Sequence, residues 1–295
     1  MQELWEKNGL IKKREWGTII DDLRKEKYTG SKEDAKKELR ILLLSAVRKR
    51  LPIGKFGIFF SGGVDSTFIA SACTLLKANF VCYTVGFQDG TKEPEDIIEA
   101  KRAAKMLGFE LRYKVFDVQE AKEIITKTVS MLKNVDKTDV VNVGVGSVVV
   151  AAAMLGIDQG TNYFFSGLGS EEIFAGYERH EKAKDVCEEC WSGLKNMWSR
   201  DLVRDCTLAK NLDITVRTPF LDKELIEFAM TLPSEWKLVD GKKKVILREV
   251  AEEFLGEFAW RKKKAAQYGS CFDKAISKLA RMEGFKLKKD WLDRL

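Results

Sequence analysis

Residues 61–66 carry the clearest chemical pattern in the sequence, and they read SGGVDS. An apolar run at 56–60 precedes them, and small and aliphatic residues at helical spacing follow from 67 to 76. In this order of buried strand, glycine turn and helix, Gly62 and Gly63 let backbone N–H groups approach a ligand, and the helix N-terminus adds partial positive charge. The spacing is not GxxxxGK[ST], and no lysine stands beside the last serine, which excludes a Walker A loop. The pattern predicts a phosphate-binding turn of another kind.

A second group of chemically capable residues lies at 166–177, which reads SGLGSEEIFAGY. Ser170 is a candidate N-cap, and it places Glu171 and Glu172 in the first turn of a helix, where carboxylates stabilise the helix end whether or not they have another role. A carboxylate here that faces Asp65 across a sheet edge could hold Mg²⁺ between the protein and a triphosphate.

Both groups need a scaffold, and the intervening sequence supplies one. Apolar runs predict strands, and apolar residues at helical spacing predict the helices between them. The predicted strands are 56–60, 80–85, 111–116 and 163–165, and the predicted helices between them include 95–107, 118–132 and one near 148–155. This alternation predicts an α/β fold with a doubly wound parallel sheet and helices on both faces. Ligands of such sheets bind at the carboxyl ends of the strands, where Ser61, Val85 and Ser166 would lie.

After residue 171 the sequence has few patterns typical of strands, and its apolar residues recur mostly at helical spacing. We predict three regions: an N-terminal leader and helix at 1–50, a nucleotide-binding α/β domain at 51–185, and a helical C-terminal part at 186–295 that completes the site. The helices predicted there are 185–198, 202–211, 223–231, 244–254 and 272–282.

Composition narrows the class of protein. The 295 residues include 45% hydrophobic and 33% charged residues, as in ordinary soluble globular proteins. The net charge of +6 permits an anionic ligand without demanding nucleic acid. Polar and glycine residues interrupt the most apolar stretch, 140–156, which we expect to fall short of a membrane span. No signal peptide is evident in the highly charged first 20 residues, so we expect a cytoplasmic protein without a membrane association.

The six cysteines are irregularly spaced, which predicts reduced thiols rather than a disulfide framework. Cys187 and Cys190 form a CEEC pair that would share a helix face, and Cys206 could approach them. A zinc site needs four ligands, however, and the sequence has no second CxxC and no partner spaced for its single histidine, His180. We therefore predict buried helix cysteines without a metal, and a surface position for His180.

Five blocks of the sequence resemble known protein families. Residues 61–66 resemble the pyrophosphate-binding loop of the N-type ATP pyrophosphatases, which cut ATP between its α- and β-phosphates. Residues 166–177 resemble the signature SGxGSDExFxGY of the asparagine synthetase C-terminal domain. Three further blocks, RTPFLD at 217–222, KVILRE at 244–249 and WRKK at 260–263, resemble that family's RxPFLD, KxxLRE and WRxK segments in the same order. The resemblance covers about 39–270. It does not extend to the family's glutaminase half, because Gln2 stands where that half has its nucleophilic cysteine.

The resemblance implies ATP and Mg²⁺ as cofactors and assigns roles by position. Asp65 and Glu171 would be magnesium ligands. Lys263 would stabilise charge developing on the α-phosphate, with Lys244 and Glu171 as further catalytic residues. The ATP-binding residues would be Phe59, Ser61, Gly62, Gly63, Val64, Asp65, Ser66, Val85, Ser166 and Gly167.

Two residues depart from the family pattern. Leu168 replaces a glutamate that is linked to handling the amine or the substrate, and because leucine neither accepts a proton nor binds a cation, the resemblance leaves amide formation on aspartate open. Glu171 replaces an aspartate but keeps the carboxylate oxygens.

The resemblance therefore implies an AMP-forming carbon–nitrogen ligase that adenylates a small carboxylate such as aspartate. Its nitrogen would come from ammonia, an amine, or a separate glutaminase subunit, and the sequence leaves a homo-oligomer open. One alternative is a tRNA-modifying ATP pyrophosphatase, favoured by the pI of about 8.8 and the CEEC pair but opposed by the lack of an RNA-binding module. Another is a catalytically idle nucleotide-binding scaffold, which Leu168 favours.

Overall fold

The fold is built on one parallel five-stranded sheet with the strand order β3-β2-β1-β4-β5. The structure is a computed structural model, and it describes residues 3–6, 9–261 and 264–295. The strands are β1 Phe56–Phe59, β2 Phe80–Phe87, β3 Leu111–Phe116, β4 Tyr163–Phe165 and β5 Thr215–Arg217, and a separate antiparallel hairpin joins β6 Leu238–Val239 to β7 Lys242–Lys243. This strand order is typical of Rossmann-like sheets, and it confirms the predicted doubly wound α/β class.

Helices cover both faces of the sheet. They are α1 Lys13–Asp22, α2 Lys32–Arg48, α3 Val64–Leu75, α4 Glu95–Leu107, α5 Val118–Leu132, α6 Val140–Ile157, α7 Ser170–Ile173, α8 Glu178–Glu181, α9 Val186–Met197, α10 Val203–Leu212, α11 Lys223–Thr231, α12 Ser234–Lys237, α13 Val245–Leu255, α14 Ala266–Gly269, α15 Phe272–Met282 and α16 Lys288–Arg294. A π-helical turn, Trp198–Leu202, connects α9 to α10, and 3₁₀ turns lie at Lys133–Val135, Pro219–Leu221 and Gly256–Trp260.

Local sequence signals set several of the helix ends. Ser31 caps α2 by accepting a hydrogen bond from the N–H of Asp34. Asp117 and Glu120 form a capping box at the start of α5. Gly108 ends α4 in the left-handed conformation that glycine adopts without strain.

Successive side chains along a strand point to opposite faces of the sheet, so the hydrophobic core has two parts, one on each face. In β2, Cys82 belongs to the apolar cluster that contains α2, α3, α11 and α13. Its neighbours Val81, Tyr83 and Val85 belong to the opposite cluster, which contains α5, α6 and α15. Strands buried on both faces must be apolar throughout, which explains why they read as continuous hydrophobic runs.

Helix α6 is longer than the sequence predicted. It begins at Val140 rather than near 148, and Asn142, Gly144 and Gly146 lie buried inside it. A Cβ at Gly144 would lie 3.2 Å from Gln267, and one at Gly146 would lie 3.0 Å from Thr128, so the small residues permit close packing rather than interrupt the helix. With 18 residues the helix is long and apolar enough to cross a membrane, contrary to the expectation from its polar interruptions, but 56% of it is buried within the protein. A core helix meets the same criterion.

Strand β5 was not predicted, because its three residues carry no apolar alternation and are only partly buried. It pairs with β4 through Val216 opposite Phe164, so a segment of the helical C-terminal part completes the sheet. The N-terminal residues also contact this part, since Trp16 Nε1 donates to the Leu194 carbonyl at 2.8 Å. The proposed boundaries near residues 50 and 185 stay predictions.

Candidate nucleotide and metal site

The glycine turn at 61–66 connects β1 to the N-terminus of α3. Gly62 has φ +65°, and a Cβ there would lie 3.0 Å from the backbone carbonyl of Glu99, so both conformation and space require glycine. Gly63 is the N-cap of α3 and has no side chain with which to cap it. The first N–H groups of a helix have no partners within the helix. The turn therefore offers the backbone donors that bind a phosphate.

Polar side chains hold this turn in shape. Ser66 Oγ lies 3.3 Å from both the Gly63 carbonyl, to which it donates, and the Ser61 N–H, from which it accepts. Arg261 Nη1 donates to the Ser61 carbonyl at 3.1 Å, and its Nε lies 3.3 Å from Glu99 of α4. Arg261 thus fixes the loop from outside. Its place in the WRKK block signalled it, but the sequence analysis gave it no role.

Three separate sequence blocks meet at Lys244. Its Nζ lies 2.8 and 2.9 Å from the two carboxylate oxygens of Asp65, 2.8 Å from Glu171 Oε1 and 2.9 Å from Ser170 Oγ. The residue is only 3% exposed. Burial acts to lower the pKa of Lys244, but the two carboxylates outweigh it and raise that pKa above its ordinary value. The ammonium therefore stays charged between them.

Glycines make room for this group. A Cβ at Gly167 would lie 3.0 Å from Asp65 Cβ, and one at Gly176 would lie 1.8 Å from Glu171 Oε2 and 2.4 Å from Lys244 Cε. Gly169 has φ +103°, and a Cβ there would lie 2.6 Å from Leu221 of the RTPFLD block. Gly167 and Gly176 are thus explained by the close approach of their backbone to Asp65, Glu171 and Lys244, and Gly169 by its close approach to Leu221.

Asp65 and Glu171 could bind a divalent cation together, because both carboxylates contact the same positive group, the Lys244 ammonium. Within the described ranges, no group of three or more His, Cys, Asp or Glu residues could hold a metal ion. Mg²⁺ is typically bound by one or two carboxylates together with substrate phosphates and water. The residues present therefore suit a magnesium ion that arrives with a phosphate ligand, rather than one held by protein alone.

The other residues assigned to ATP line the same edge of the sheet. Phe59 pairs with Tyr83 in parallel register, so Val85, two residues further along β2, stands level with Ser61. Val85 is inside β2, which runs on to Phe87, and not at its end as the sequence suggested. The Ser166 N–H donates to the Arg217 carbonyl at 2.8 Å, which continues the pairing of β4 with β5.

Leu168 packs partly buried against the apolar cluster, and its N–H donates to Ser166 Oγ at 3.3 Å. Its side chain brings no charge to the site. Lys263, to which the resemblance gives the α-phosphate, lies outside the described residues.

A buried charged cluster behind Glu171 was missed by the sequence analysis. Glu172 is fully buried and forms a salt bridge with Arg200 of the π-helical turn. Burial, with a further contribution from the Asp201 charge, raises the pKa of Glu172 to about 7. A π-turn has no clear sequence signal, although such turns are frequent near functional sites.

The surface position expected for His180 was wrong. The side chain is fully buried, and its Nδ1 accepts a hydrogen bond from the Tyr177 N–H at 3.0 Å. Burial and the nearby charge of Arg179 lower the pKa of His180 to about 4. The short helix α8 carries this residue inwards against α9, a tertiary effect that a local pattern does not show.

The parallel sheet and the glycine turn at its carboxyl edge define an α/β protein with a candidate phosphate-binding site. A family model described as "Asparagine synthase" matches residues 38–191 and 181–284. A putative glutamine-hydrolysing asparagine synthetase of Methanocaldococcus jannaschii is 34% identical over 90% of this chain and 55% of its own length. The glutamine-hydrolysing asparagine synthetase of Cricetulus griseus is 32% identical over 80% of this chain and 44% of its own.

The chain therefore belongs to the asparagine synthase family, as its motifs predicted. It spans about half the length of the curated relatives it matches. A similar solved structure is the U34-tRNA thiolase NcsA of Methanococcus maripaludis, which is 14% identical, covers 88% of this chain and 78% of its own, and has a TM-score of 0.41. Likeness at that level carries no information on function.

Proposed function

We propose that this protein is an AMP-forming ligase that adenylates a small carboxylate, such as that of aspartate, and transfers nitrogen to it. The proposal depends above all on one observation, the meeting of Asp65, Glu171 and Lys244 beside the glycine turn. Three segments far apart in the sequence supply these groups, and each belongs to a block that resembles the family. A purely structural ion pair would not need to lie at the ligand-binding edge of the sheet.

Each residue has a definite part in this reaction. The turn at 61–66 would hold the β- and γ-phosphates, and pyrophosphate after cleavage, through its backbone N–H groups. Asp65 and Glu171 would hold Mg²⁺, which when bound neutralises phosphate charge. Lys244, charged and buried beside them, would stabilise charge near the α-phosphate, a contribution typically worth several kcal/mol of barrier. We retain Lys263 as the second lysine of the proposal.

The carboxylate oxygen would attack the α-phosphate, and the resulting acyl-adenylate would lose AMP to a nitrogen nucleophile. Leu168 replaces the glutamate that the family signature has at this position, so this side chain offers no anion to hold ammonium. Free ammonia, an amine or a separate glutaminase subunit are the nitrogen sources we propose. We also propose a cytoplasmic location, which is consistent with the free thiols of the described cysteines.

The test is product formation from Mg-ATP, ammonium and a panel of amino-acid carboxylates. We expect AMP and pyrophosphate in equal amounts with at least one carboxylate. Asp65→Asn should lower kcat/KM by about 100-fold or more, which is about 2.7 kcal/mol of transition-state stabilisation. The matched control is Asp22→Asn, which changes an exposed carboxylate at the end of α1 and should leave kcat/KM unaltered.

A second pair of variants separates the two lysines near β7. Lys244→Met should abolish pyrophosphate formation, whereas Lys242→Met, at an exposed position two residues earlier, should not. ATP binding without pyrophosphate from any carboxylate would contradict the ligase proposal and favour a nucleotide-binding scaffold. Pyrophosphate formation that requires tRNA would instead favour a tRNA-modifying enzyme.

A further inference from the structure

The N-terminal segment, residues 3–22, has no part in the proposed reaction, and it precedes the residues that the family model matches, which begin at 38. Its described residues nevertheless enter the core. Trp16 and Ile20 are fully buried, and the buried Glu3 carboxylate lies 3.0 Å from the Arg50 guanidinium. Carboxylates are rarely buried in proteins unless they are paired. The segment is therefore an integral part of the fold.

The beginning of the segment holds the residues that follow β5. Trp5 Nε1 donates to Thr218 Oγ1 at 3.0 Å, and the Thr218 hydroxyl in turn donates to Glu3 at 3.1 Å. The residue before Thr218 is Arg217, whose carbonyl accepts a hydrogen bond from the Ser166 N–H at 2.8 Å. These contacts therefore lead from the N-terminal segment to the first residue of the 166–177 block.

Further along the segment, two hydrogen bonds hold the π-helical turn, Trp198–Leu202. The Ile11 carbonyl accepts from Trp198 Nε1 at 2.7 Å. Trp16 Nε1 donates at 2.8 Å to the carbonyl of Leu194, in the last turn of the helix that leads into the π-helical turn. Isolated π-helical turns are rare. Both bonds come from residues far away in the sequence, so the N-terminal segment contributes to holding this turn.

The two sets of contacts meet at the residues on either side of Glu171. Arg200 of the π-helical turn forms a salt bridge with the fully buried Glu172. On the other side, Ser166 is bonded to the Arg217 carbonyl. Glu171 lies between these points in α7, which has only four residues. A helix of that length is not stable by itself in water, so its position depends on the contacts that hold its two ends.

We propose that the N-terminal segment is a positioning element, which holds the 166–172 stretch so that Glu171 faces Lys244. Trp5 acts on the beginning of this stretch through Thr218, and Trp16 acts on its end through the π-helical turn. Both tryptophans are positioning residues, because each acts through other side chains. The consequence for catalysis rests on the proposed function, in which Glu171 is a magnesium ligand.

Hydrogen exchange tests the positioning without any activity. Trp16→Phe removes the indole donor but keeps an aromatic ring. The N–H groups of Phe174 and Gly176 are bonded to carbonyls of α7 at 3.1 and 2.8 Å, so their exchange rates report on this helix. We expect both amides to exchange about tenfold faster or more in the variant, because the helix opens locally more often. The amides of α3 and α5 should keep their wild-type rates within about twofold.

Two further variants make this experiment specific. Trp291→Phe is the matched control, because it removes an indole from a fully buried position in the apolar cluster that contains α5, α6 and α15. It should leave exchange at Phe174 and Gly176 unchanged. Trp198→Phe removes the donor to the Ile11 carbonyl from the side of the π-helical turn, and it should reproduce the local effect of Trp16→Phe.

The effect on the proposed reaction is measured as pyrophosphate formation. Trp16→Phe should lower kcat/KM for Mg-ATP by about tenfold, since displacing a positioned group by about 1 Å can cost about 100-fold and one hydrogen bond of several is lost. A double-mutant cycle tests the path through the π-helical turn. Trp16→Phe and Arg200→Lys together should lose less than the product of their separate losses, because both act on Glu172 through one contact.

Exchange of the two amides at the wild-type rate in both Trp16→Phe and Trp198→Phe would overturn the proposal. Exchange that is faster by the same factor in α3 and α5 would also overturn it, because the effect would then be a loss of global stability. Independent losses in the double variant would refute the path through Arg200, and an unaltered kcat/KM would refute the effect on catalysis. If the wild-type protein forms no pyrophosphate from any carboxylate, the ligase proposal fails, and the exchange rates still decide the positioning.

Discussion

Gly176 offers the sharpest test of the proposed site, because replacing it by alanine adds one carbon atom next to two functional groups. The new Cβ would lie 1.8 Å from Glu171 Oε2 and 2.4 Å from Lys244 Cε. Non-bonded atoms rest at about 3.5 Å or more, so the Glu171 carboxylate must move by more than about 1 Å. A displacement of that size in a positioned catalytic group can cost about 100-fold in rate. We therefore expect kcat/KM to fall by about 100-fold, or about 2.7 kcal/mol.

The same substitution should change stability much less than activity. The displaced atoms are the ends of side chains, and Lys244 keeps Asp65 as a partner at 2.8 Å. We expect the free energy of unfolding to fall by no more than about 2 kcal/mol. The assays are pyrophosphate formation with Mg-ATP and the active carboxylate, and urea denaturation of the same preparations. Gly17→Ala, in α1 where an added Cβ meets nothing within 4 Å, is the matched control and should lose no activity.

Retention of kcat/KM within threefold in Gly176→Ala, with stability unchanged, would refute this reasoning. It would mean that the contact between Glu171 and Lys244 does not position any group that reacts. A fall in kcat/KM only in proportion to the unfolded fraction would refute it equally, because the effect would then be structural.

Three further predictions concern stability. Lys237→Met should raise the melting temperature, because it removes a buried amine without a partner in the described chain, at a gain of about 1–3 kcal/mol. Since the pKa of His180 is lowered to about 4, the folded state binds fewer protons than the unfolded state between that pH and about 6.5, so stability should fall as pH drops through this window. His180→Asn should flatten that dependence in denaturation curves between pH 4 and 7, and an unchanged slope would contradict it. Glu3→Gln should destabilise by about 2 kcal/mol in urea titrations, because it removes one of the two carboxylates that pair with the buried Arg50 guanidinium, at 3.0 Å, and leaves only Asp222 at 2.8 Å; the exposed Glu33→Gln should change little.

Much of the fold follows from local signals. The strands β3 and β4 and the helices α4, α5 and α15 have the bounds that apolar periodicity predicted. Their signals are local because burial of one face requires a regular spacing within the segment itself. Strand β5 and the π-helical turn carry no such spacing. Their conformations depend on partners distant in the sequence, β4 for the strand and Glu172 for Arg200 of the turn.

The candidate site likewise has one part that the sequence predicts and one part that depends on contacts distant in the sequence. That Asp65 and Glu171 would share one edge of the sheet follows from strand order, because parallel strands place their carboxyl ends together. That Lys244 would stand between them does not, because its position depends on how the β6–β7 hairpin folds back. Within the run of three lysines at 242–244, only the resemblance of 244–249 to the family's KxxLRE segment selected Lys244. The structure distinguishes them by burial, since Lys242 is exposed and Lys244 is not.

The position of Lys244 also explains how two partly buried carboxylates can face one another. Without a cation between them, the two negative charges would repel one another. The ammonium lies within 2.8 Å of both and leaves the group with a net charge of about −1. A bare divalent ion would compete there with a cation already hydrogen-bonded to three side chains. In the proposed reaction, a divalent ion that arrives with a triphosphate would bring its own anionic ligands and would meet the glycine turn beside Asp65. We therefore expect the metal–nucleotide complex to bind in preference to the free metal.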